Sequence, residues 1–229
     1  MSTSSASSST DPGPIEVGPP LRLRPGWDRA AKRALDVALS AILLLVLGVP
    51  LLVIAAAIRL ESRGPAIFRQ RRAGWRGRPF TMLKFRTMRA DAGAYGGSPR
   101  SGEDSRLTRI GRRLRETSLD ELPQLLNVLA GQMSLVGPRP LYERQAALWS
   151  PRQRHRLDAR PGITGYAQAY GRASMMLEDK IDFDLYYVQH AGLRMDLAVL
   201  LRTAANVLMR RGGAVYETRY SREKERETD

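Results

Sequence analysis

The sequence predicts a mostly helical α+β fold for a monotopic membrane protein, with a re-entrant N-terminal membrane helix, a small β-hairpin and amphipathic interface helices. Three features carry that prediction. Residues 37–58 form a run of 22 residues without a charge. Two segments rich in β-branched and aromatic residues flank a Gly-Trp-Arg-Gly tetrapeptide at 74–77, and leucines recur at helical spacing between residues 193 and 209.

The uncharged run is long enough, as a helix, to cross a hydrocarbon core about 30 Å thick. Pro50 lies a little past its middle, two residues after Gly48, and predicts a kink. Basic residues flank both ends, so the positive-inside rule favours the cytoplasmic face for both: Arg29, Lys32 and Arg33 before, Arg59 and Arg63 after. We expect a bent helix that enters and leaves by one leaflet. A straight transmembrane helix is the alternative, and the lack of polar surface disfavours a buried core helix.

Composition divides the rest of the chain. Residues 1–26 are rich in Ser, Pro and Gly, which predicts a disordered tail, and they lack the pattern of a signal peptide. Residues 27–63 hold the membrane helix, residues 64–209 a domain at the cytosolic face, and residues 210–229 a charged tail. Within the domain, 66–72 and 79–88 predict the hairpin and 91–105 a loop.

Short helices are predicted after that loop. Residues 107–115 read as a basic helical turn, and residues 122–129 as a helix ended by Gly131. The apolar stripe at 193–209 predicts a helix whose apolar face packs in the core or lies flat on a membrane interface.

The charge of the chain is concentrated in one block. Residues 59–115 hold 16 Lys and Arg against four acids, a net +12 of the total +14. Such a block indicates an anionic partner: nucleic acid, lipid headgroups or a phosphorylated small molecule. The chain has no cysteine and two histidines, which excludes thiolate chemistry and disfavours a multi-histidine zinc site. Catalysis would depend on carboxylates, hydroxyls, lysines or a carboxylate-bound metal.

Asp120 and Glu121 are the most informative acids. Ser118 and Glu121 match a capping box, and Pro123 favours a first helical turn, so both acids are expected at a helix start. The helix dipole there favours the ionised carboxylate, which can attack phosphorus or hold Mg²⁺. The alternative is that both acids only cap the helix.

Seven segments in a fixed order resemble the bacterial sugar transferases that act on polyprenol phosphate, the monotopic phosphoglycosyl transferases. The resemblance covers roughly residues 32–209. The segments are Lys32-Arg33-Ala34-Leu35-Asp36, Gly64-Pro65-Ala66-Ile67-Phe68-Arg69-Gln70, Lys84-Phe85-Arg86-Thr87-Met88, Asp120-Glu121, Met133-Ser134-Leu135-Val136-Gly137-Pro138-Arg139-Pro140, Arg160-Pro161-Gly162-Ile163-Thr164-Gly165 and Asp184-Leu185-Tyr186-Tyr187.

The resemblance implies that sugar-1-phosphate is transferred from a UDP-sugar to a membrane polyprenol phosphate, with undecaprenyl phosphate as the expected acceptor, and that UMP is released. This is the first membrane step of glycoconjugate or exopolysaccharide assembly, at the cytoplasmic face of the bacterial inner membrane. By the same resemblance Asp120 is the nucleophile that forms a phosphosugar-aspartyl intermediate. Mg²⁺ would bridge Asp120 and the diphosphate, and Glu121 would act as base or metal ligand.

Further residues are expected to bind substrate. Arg139, stiffened by Pro138 and Pro140, suits the nucleotide end, or else forms a rigid turn with an exposed arginine. Lys84 and Arg86 would share one face of a strand and grip the diphosphate, with Arg115 beside them; attraction to headgroups is the alternative. Asp184 would reach the metal or the sugar, or form a buried ion pair with an arginine.

Two points qualify the resemblance. In the family, a serine often precedes the kink proline, and Val49 stands there in this chain. The other function classes are a membrane-anchored nucleic-acid-binding protein and a scaffold without catalysis. Nucleic acid is not an expected partner, because the basic block lacks a nucleic-acid motif and interleaved aromatics. A homodimer is left open.

Overall fold

A computed structural model describes residues 29–92, 104–171 and 175–209. The predicted tails at 1–26 and 210–229, and most of the predicted loop at 91–105, lie outside these ranges. In chain order the regular elements are α1 (Arg29–Glu61), β1 (Ile67–Ala73), β2 (Pro79–Phe85), α2 (Arg109–Glu116), α3 (Gln124–Leu129), β3 (Ser134–Val136), α4 (Glu143–Ala147), α5 (Pro151–Arg154), β4 (Gly162–Thr164), α6 (Tyr166–Tyr170), α7 (Leu177–His190) and α8 (Leu193–Leu208).

The first helix is long and apolar. It has 33 residues with Pro50 inside it, and by length and composition it is long enough to cross a membrane. One stripe faces the domain: Asp36, Ser40 and Ile58 are buried, and Leu44, Leu51 and Ile54 pack against core clusters. The opposite stripe is exposed, with Leu45 at 85% and Leu52 at 72%. One face of α1 therefore packs on the domain, while its opposite face is apolar and uncovered.

The N-terminal end of α1 is fixed to α3 and β3. The Arg33 guanidinium donates to the carbonyl oxygens of Val128 at 2.6 Å and Leu129 at 2.9 Å, where the negative end of the α3 dipole favours a cation. The Asp36 carboxylate accepts from the backbone N–H of Leu135 at 3.1 Å. Lys32 bridges Asp36 at 2.9 Å and an aspartate of α8 at 3.0 Å.

The C-terminal end of α1 is fixed by Arg86. Its guanidinium donates to the carbonyl oxygens of Ser62 at 2.7 Å and Arg63 at 2.8 Å. A Cβ at Gly64, whose φ is +115°, would lie 2.3 Å from the same guanidinium, so glycine is required there. The prediction that Arg86 shares a strand face with Lys84 is wrong. The strand β2 ends at Phe85, and the Arg86 side chain instead donates to the carbonyl oxygens of Ser62 and Arg63, just after the end of α1.

Two small sheets complete the domain. The predicted hairpin is confirmed: β1 and β2 pair antiparallel, from Ile67 opposite Phe85 to Ala73 opposite Pro79. A second, parallel pair of β3 and β4 was not predicted, because each strand has three residues. A Cβ at Gly137, just after β3, would lie 2.2 Å from the carbonyl oxygen of Arg160, so only glycine allows the two segments to approach.

The helix predicted at 193–209 is confirmed as α8, Leu193–Leu208. Its buried side is marked by Val199, which joins the main core with Leu125, Tyr187 and Val188. Most of the predicted leucine stripe lies on the other side and is exposed, with Leu197 at 55% and Leu201 at 63%. The stripe is therefore not core, and it adds a second uncovered apolar face to that of α1.

Candidate active site

Three segments meet around Asp120 and Glu121: the end of β2, a short 3₁₀ turn at Leu119–Glu121, and the loop that follows β3. The predicted capping box is wrong. Ser118 has a left-handed backbone with φ 58° and makes no side-chain cap hydrogen bond. The Glu121 carboxylate points away from it, toward two cations. The acids therefore lie in a turn that precedes α3.

Glu121 is held by those cations. Its Oε1 accepts from Lys84 Nζ at 2.8 Å and from Arg139 Nη2 at 2.9 Å, and its Oε2 accepts from Gln124 Nε2 at 3.3 Å. Burial opposes ionisation, but the attraction of Arg139 and Lys84 outweighs it and sets the pKa of Glu121 well below its usual range. A carboxylate whose pKa is lowered in this way is a poor general base near neutral pH.

Asp120 has a different environment. The residue is 7% exposed, and its carboxylate has no hydrogen-bond or salt-bridge partner within the described part of the chain. Burial raises the pKa of Asp120; Lys84 opposes this rise and Glu121 adds to it. A buried carboxylate without a partner retains its lone pairs for an incoming group.

Cations surround this carboxylate. Burial lowers the pKa of Lys84, with attraction from Glu121 opposing the change. Attraction from Glu121 raises the pKa of Arg139. Arg115 acts on Asp120 through its charge, and its Nε donates to Thr87 Oγ1 at 2.9 Å. The structure thus brings Lys84, Arg115 and Arg139 together with both acids, and it leaves Arg86 outside.

The backbone around Arg139 is fixed on both sides. The carbonyl oxygen of Pro138 accepts from Gly162 N at 3.0 Å, and that of Pro140 accepts from Arg72 Nη1 at 3.3 Å. Arg72 itself stacks on the ring of Tyr142, with its guanidinium carbon 3.8 Å from the ring centroid. Only its place in the basic block marks Arg72 in the sequence, so its contact with this loop was missed.

Asp184 forms the buried ion pair that was one of its two predicted roles. Its Oδ2 pairs with Arg156, and the same Arg156 Nη2 donates to the carbonyl oxygen of Arg139 at 2.9 Å. Burial raises the pKa of Asp184, and Arg156 opposes that rise. Asp184 therefore supports the Arg139 loop from α7. Arg156 was missed because no motif marks it.

The carboxylates suit Mg²⁺ only together with a substrate. No group of three or more His, Cys, Asp or Glu that could hold a metal occurs in residues 29–92, 104–171 and 175–209. Asp120 offers a free carboxylate, and Glu121 is already engaged. Since Mg²⁺ in phosphoryl-transfer sites is commonly bound by one or two carboxylates plus phosphate oxygens, this donor set fits an ion that arrives with a diphosphate.

The sequence profile of the bacterial sugar transferase family matches residues 27–210. The chain belongs to this family. It is 45% identical to the UDP-glucose:undecaprenyl-phosphate glucose-1-phosphate transferase of Caulobacter vibrioides, over 85% of this chain and 79% of that protein. It is 36% identical to the exopolysaccharide production protein ExoY of Rhizobium meliloti, over 80% and 87%.

A third relative in the bacterial sugar transferase family is longer. The UDP-glucose:undecaprenyl-phosphate glucose-1-phosphate transferase of Escherichia coli is 38% identical over 78% of this chain, which covers 40% of that protein. The family membership agrees with the resemblance carried by the seven segments, and it makes the cluster around Asp120 the candidate active site of a sugar-phosphate transferase.

Proposed function

We propose that the protein transfers a sugar-1-phosphate from a UDP-sugar to undecaprenyl phosphate and releases UMP. UDP-glucose is the first donor to test, because two relatives are named as UDP-glucose:undecaprenyl-phosphate glucose-1-phosphate transferases. The exopolysaccharide relatives support a place at the first membrane step of polysaccharide assembly.

One observation carries the assignment of roles: of two adjacent acids, Glu121 pairs with two cations, whereas Asp120 has no hydrogen-bond or salt-bridge partner among the described residues. In the first step an Asp120 oxygen attacks the sugar-bearing β-phosphorus. The bond from that phosphorus to the UMP oxygen breaks, and UMP leaves with the electron pair. In the second step a phosphate oxygen of the polyprenol phosphate attacks the same phosphorus and releases Asp120.

The surrounding cations make this attack feasible. Nucleophile, donor and acceptor are all anions, so their approach needs fixed positive charge. Lys84, Arg115 and Arg139 supply it, and Glu121 orients two of the three. Because Arg139 lies in a loop fixed at both prolines, its guanidinium is preorganised for the phosphates or the uracil of the nucleotide.

A divalent ion completes the charge balance. Asp120 would hold Mg²⁺ together with the diphosphate, and the bound ion would supply electrostatic stabilisation of the phosphate oxygens. We expect full loss of UMP release after exhaustive treatment with EDTA, and recovery with Mg²⁺ before Ca²⁺ or Zn²⁺. Full activity of metal-free protein would remove the ion from the mechanism.

A one-sided membrane location suits the substrates, since UDP-sugars are cytosolic and the acceptor phosphate lies at the headgroup level. We infer that α1 is re-entrant and that the active site faces the cytoplasm at the inner membrane. Support comes from the two anchored ends: Arg33 ties one end to α3, and Arg86 ties the other to the hairpin domain. Leu44 and Leu51, in the middle of α1, also pack on the same domain.

The test is UMP release. Purified full-length protein in nanodiscs, supplied with undecaprenyl phosphate and a panel of UDP-sugars, should release UMP with at least one donor and form the matching prenyl diphosphate sugar. The nucleic-acid and scaffold alternatives predict no UMP with any donor. Release of UDP in place of UMP would indicate a glycosyl transferase and contradict the proposal.

A further inference from the structure

Lys180, on α7, is a cation with no side-chain partner in the part of the chain that the structure describes. The residue is half-buried, and its ammonium group has no hydrogen bond or ion pair among residues 29–92, 104–171 and 175–209. The two acids just before it, Glu178 and Asp179, are exposed. A lysine that is partly withdrawn from water usually reaches either an acid or open solvent.

The position of Lys180 places it beside the candidate active site. It precedes Asp184 by one helical turn, so the two side chains share a face of α7. Lys180 makes no ion pair with Asp184, whose Oδ2 pairs with Arg156 and whose Oδ1 is buried without a hydrogen-bond partner among the described residues. Arg156 in turn donates to the backbone carbonyl of Arg139. The Arg156 side chain therefore links this face of α7 to the Arg139 loop. Burial, and then repulsion from Arg139, lowers the pKa of Lys180.

We propose that Lys180 is a further substrate-binding residue, whose ammonium group donates to a phosphate oxygen of a bound substrate. The inference rests on the proposed function. Lys84 and Arg139 are already neutralised in part by Glu121, so an incoming phosphate favours a further cation that pairs with no acid among the described residues. Lys180 meets that need. The phosphate belongs either to the diphosphate of the donor or to the phosphate of the polyprenol acceptor.

Protection from chemical labelling tests the contact without depending on turnover. Full-length Asp120→Asn protein in nanodiscs is treated with an amine-acylating reagent, and labelling of the peptide that holds Lys180 is measured by mass spectrometry. UDP-glucose and undecaprenyl phosphate are added in separate arms. We expect one of them to reduce labelling of Lys180 several-fold, and the arm identifies the phosphate. Equal labelling in all arms would overturn the proposal.

Kinetics of Lys180 variants give the second readout. Lys180→Met should raise the KM of the substrate that protects Lys180 from labelling by about tenfold or more, because charged hydrogen bonds to phosphate are among the strong ones. Lys180→Arg keeps the charge and should return this KM close to its wild-type value. The control is Arg152→Met, which removes an exposed cation that pairs with Asp182 of α7 at 2.8 Å, and it should leave both KM values unchanged.

The outcomes separate the two proposals. A Lys180→Met protein with wild-type KM values, or with kcat and thermal stability reduced at unchanged KM, would show that Lys180 does not bind substrate. Absence of UMP release by the wild-type protein with every donor would overturn the proposed function, while the labelling arms would still decide whether Lys180 holds a phosphate.

Discussion

Asp120 and Glu121 are neighbours in the chain, but their carboxylates have opposite environments. Glu121 Oε1 accepts from both Lys84 and Arg139, whereas Asp120 has no partner in the described part of the chain. Both acids lie in the 3₁₀ turn Leu119–Glu121, whose three residues per turn place adjacent side chains about 120° apart around its axis. A free, buried carboxylate beside fixed cations suits nucleophilic attack, and a saturated one suits the positioning of cations.

This contrast predicts that Asp120→Asn abolishes activity and raises the stability of the fold. Burial raises the pKa of Asp120, so folding disfavours its ionised form. The neutral amide avoids this penalty, and we expect transfer to be abolished while stability rises by about 1 kcal/mol, or about 2–4 °C in Tm. The difference in Tm should shrink as the pH falls through the raised pKa, because protonated Asp120 is as neutral as Asn.

UMP release and thermal unfolding over a range of pH measure both effects. Glu116→Gln, at the end of α2, provides a matched loss of one acid outside the cluster. Turnover near the wild-type level would remove Asp120 from the role of nucleophile. A lower Tm in the variant at neutral pH would mean that the carboxylate is stabilising where it lies, contrary to this account.

At the scale of elements, Arg86 connects two parts of the fold. It follows β2 directly and donates to carbonyl oxygens at the end of α1. In addition, Glu61, the last residue of α1, accepts from the backbone N–H of Arg109 at 2.7 Å and so caps α2. The helix α1, the hairpin and α2 are thus fixed to one another at a single junction.

We therefore predict that Arg86→Lys destabilises the protein by about 2 kcal/mol, because a lysine cannot reproduce a fork of hydrogen bonds to several carbonyls. Thermal unfolding in nanodiscs measures the change. The control is Arg89→Lys, which alters an exposed arginine 3.4 Å from Asp91 and should have little effect. An unchanged Tm with a raised KM for the donor would instead restore Arg86 to the substrate site.

Sequence reasoning succeeded where local chemistry decides the structure. The Gly-Trp-Arg-Gly turn and its flanking segments predicted the hairpin correctly, because turn residues and strand propensity act within a few residues. It failed where distant partners decide. Ser118 lost its expected cap because Lys84 and Arg139 draw Glu121 away. The parallel pairing of β3 with β4 joins strands about 28 residues apart in a chain whose local pattern shows neither strand.

For the molecule as a whole, the main feature is an uncovered apolar surface. The outer face of α1 and the leucines of α8 are exposed, while the polar anchors at both ends of α1 point into the domain. Surfaces of this kind on a folded domain mark contact with a membrane or with another protein. With the net +12 between residues 59 and 115, the molecule has apolar and basic regions that suit the acyl and headgroup layers of one leaflet.

A one-sided orientation predicts the topology of the chain ends. The chain has no cysteine, so Ser9→Cys and Ser101→Cys each introduce a unique thiol, at positions outside the described residues. In intact cells both should be protected from a membrane-impermeant maleimide, and both should label after permeabilisation. Labelling at position 9 alone in intact cells would mean that α1 spans the membrane.

The central claim is that Asp120 accepts the sugar phosphate, and the most direct measurement is a search for that adduct. Wild-type protein is incubated with the productive UDP-sugar without polyprenol phosphate, quenched, digested and analysed by mass spectrometry. The account predicts stoichiometric UMP release and a sugar-phosphate adduct on the peptide that holds Asp120, which undecaprenyl phosphate removes and Asp120→Asn never forms. UMP release that requires the acceptor, with no adduct on Asp120, would contradict it.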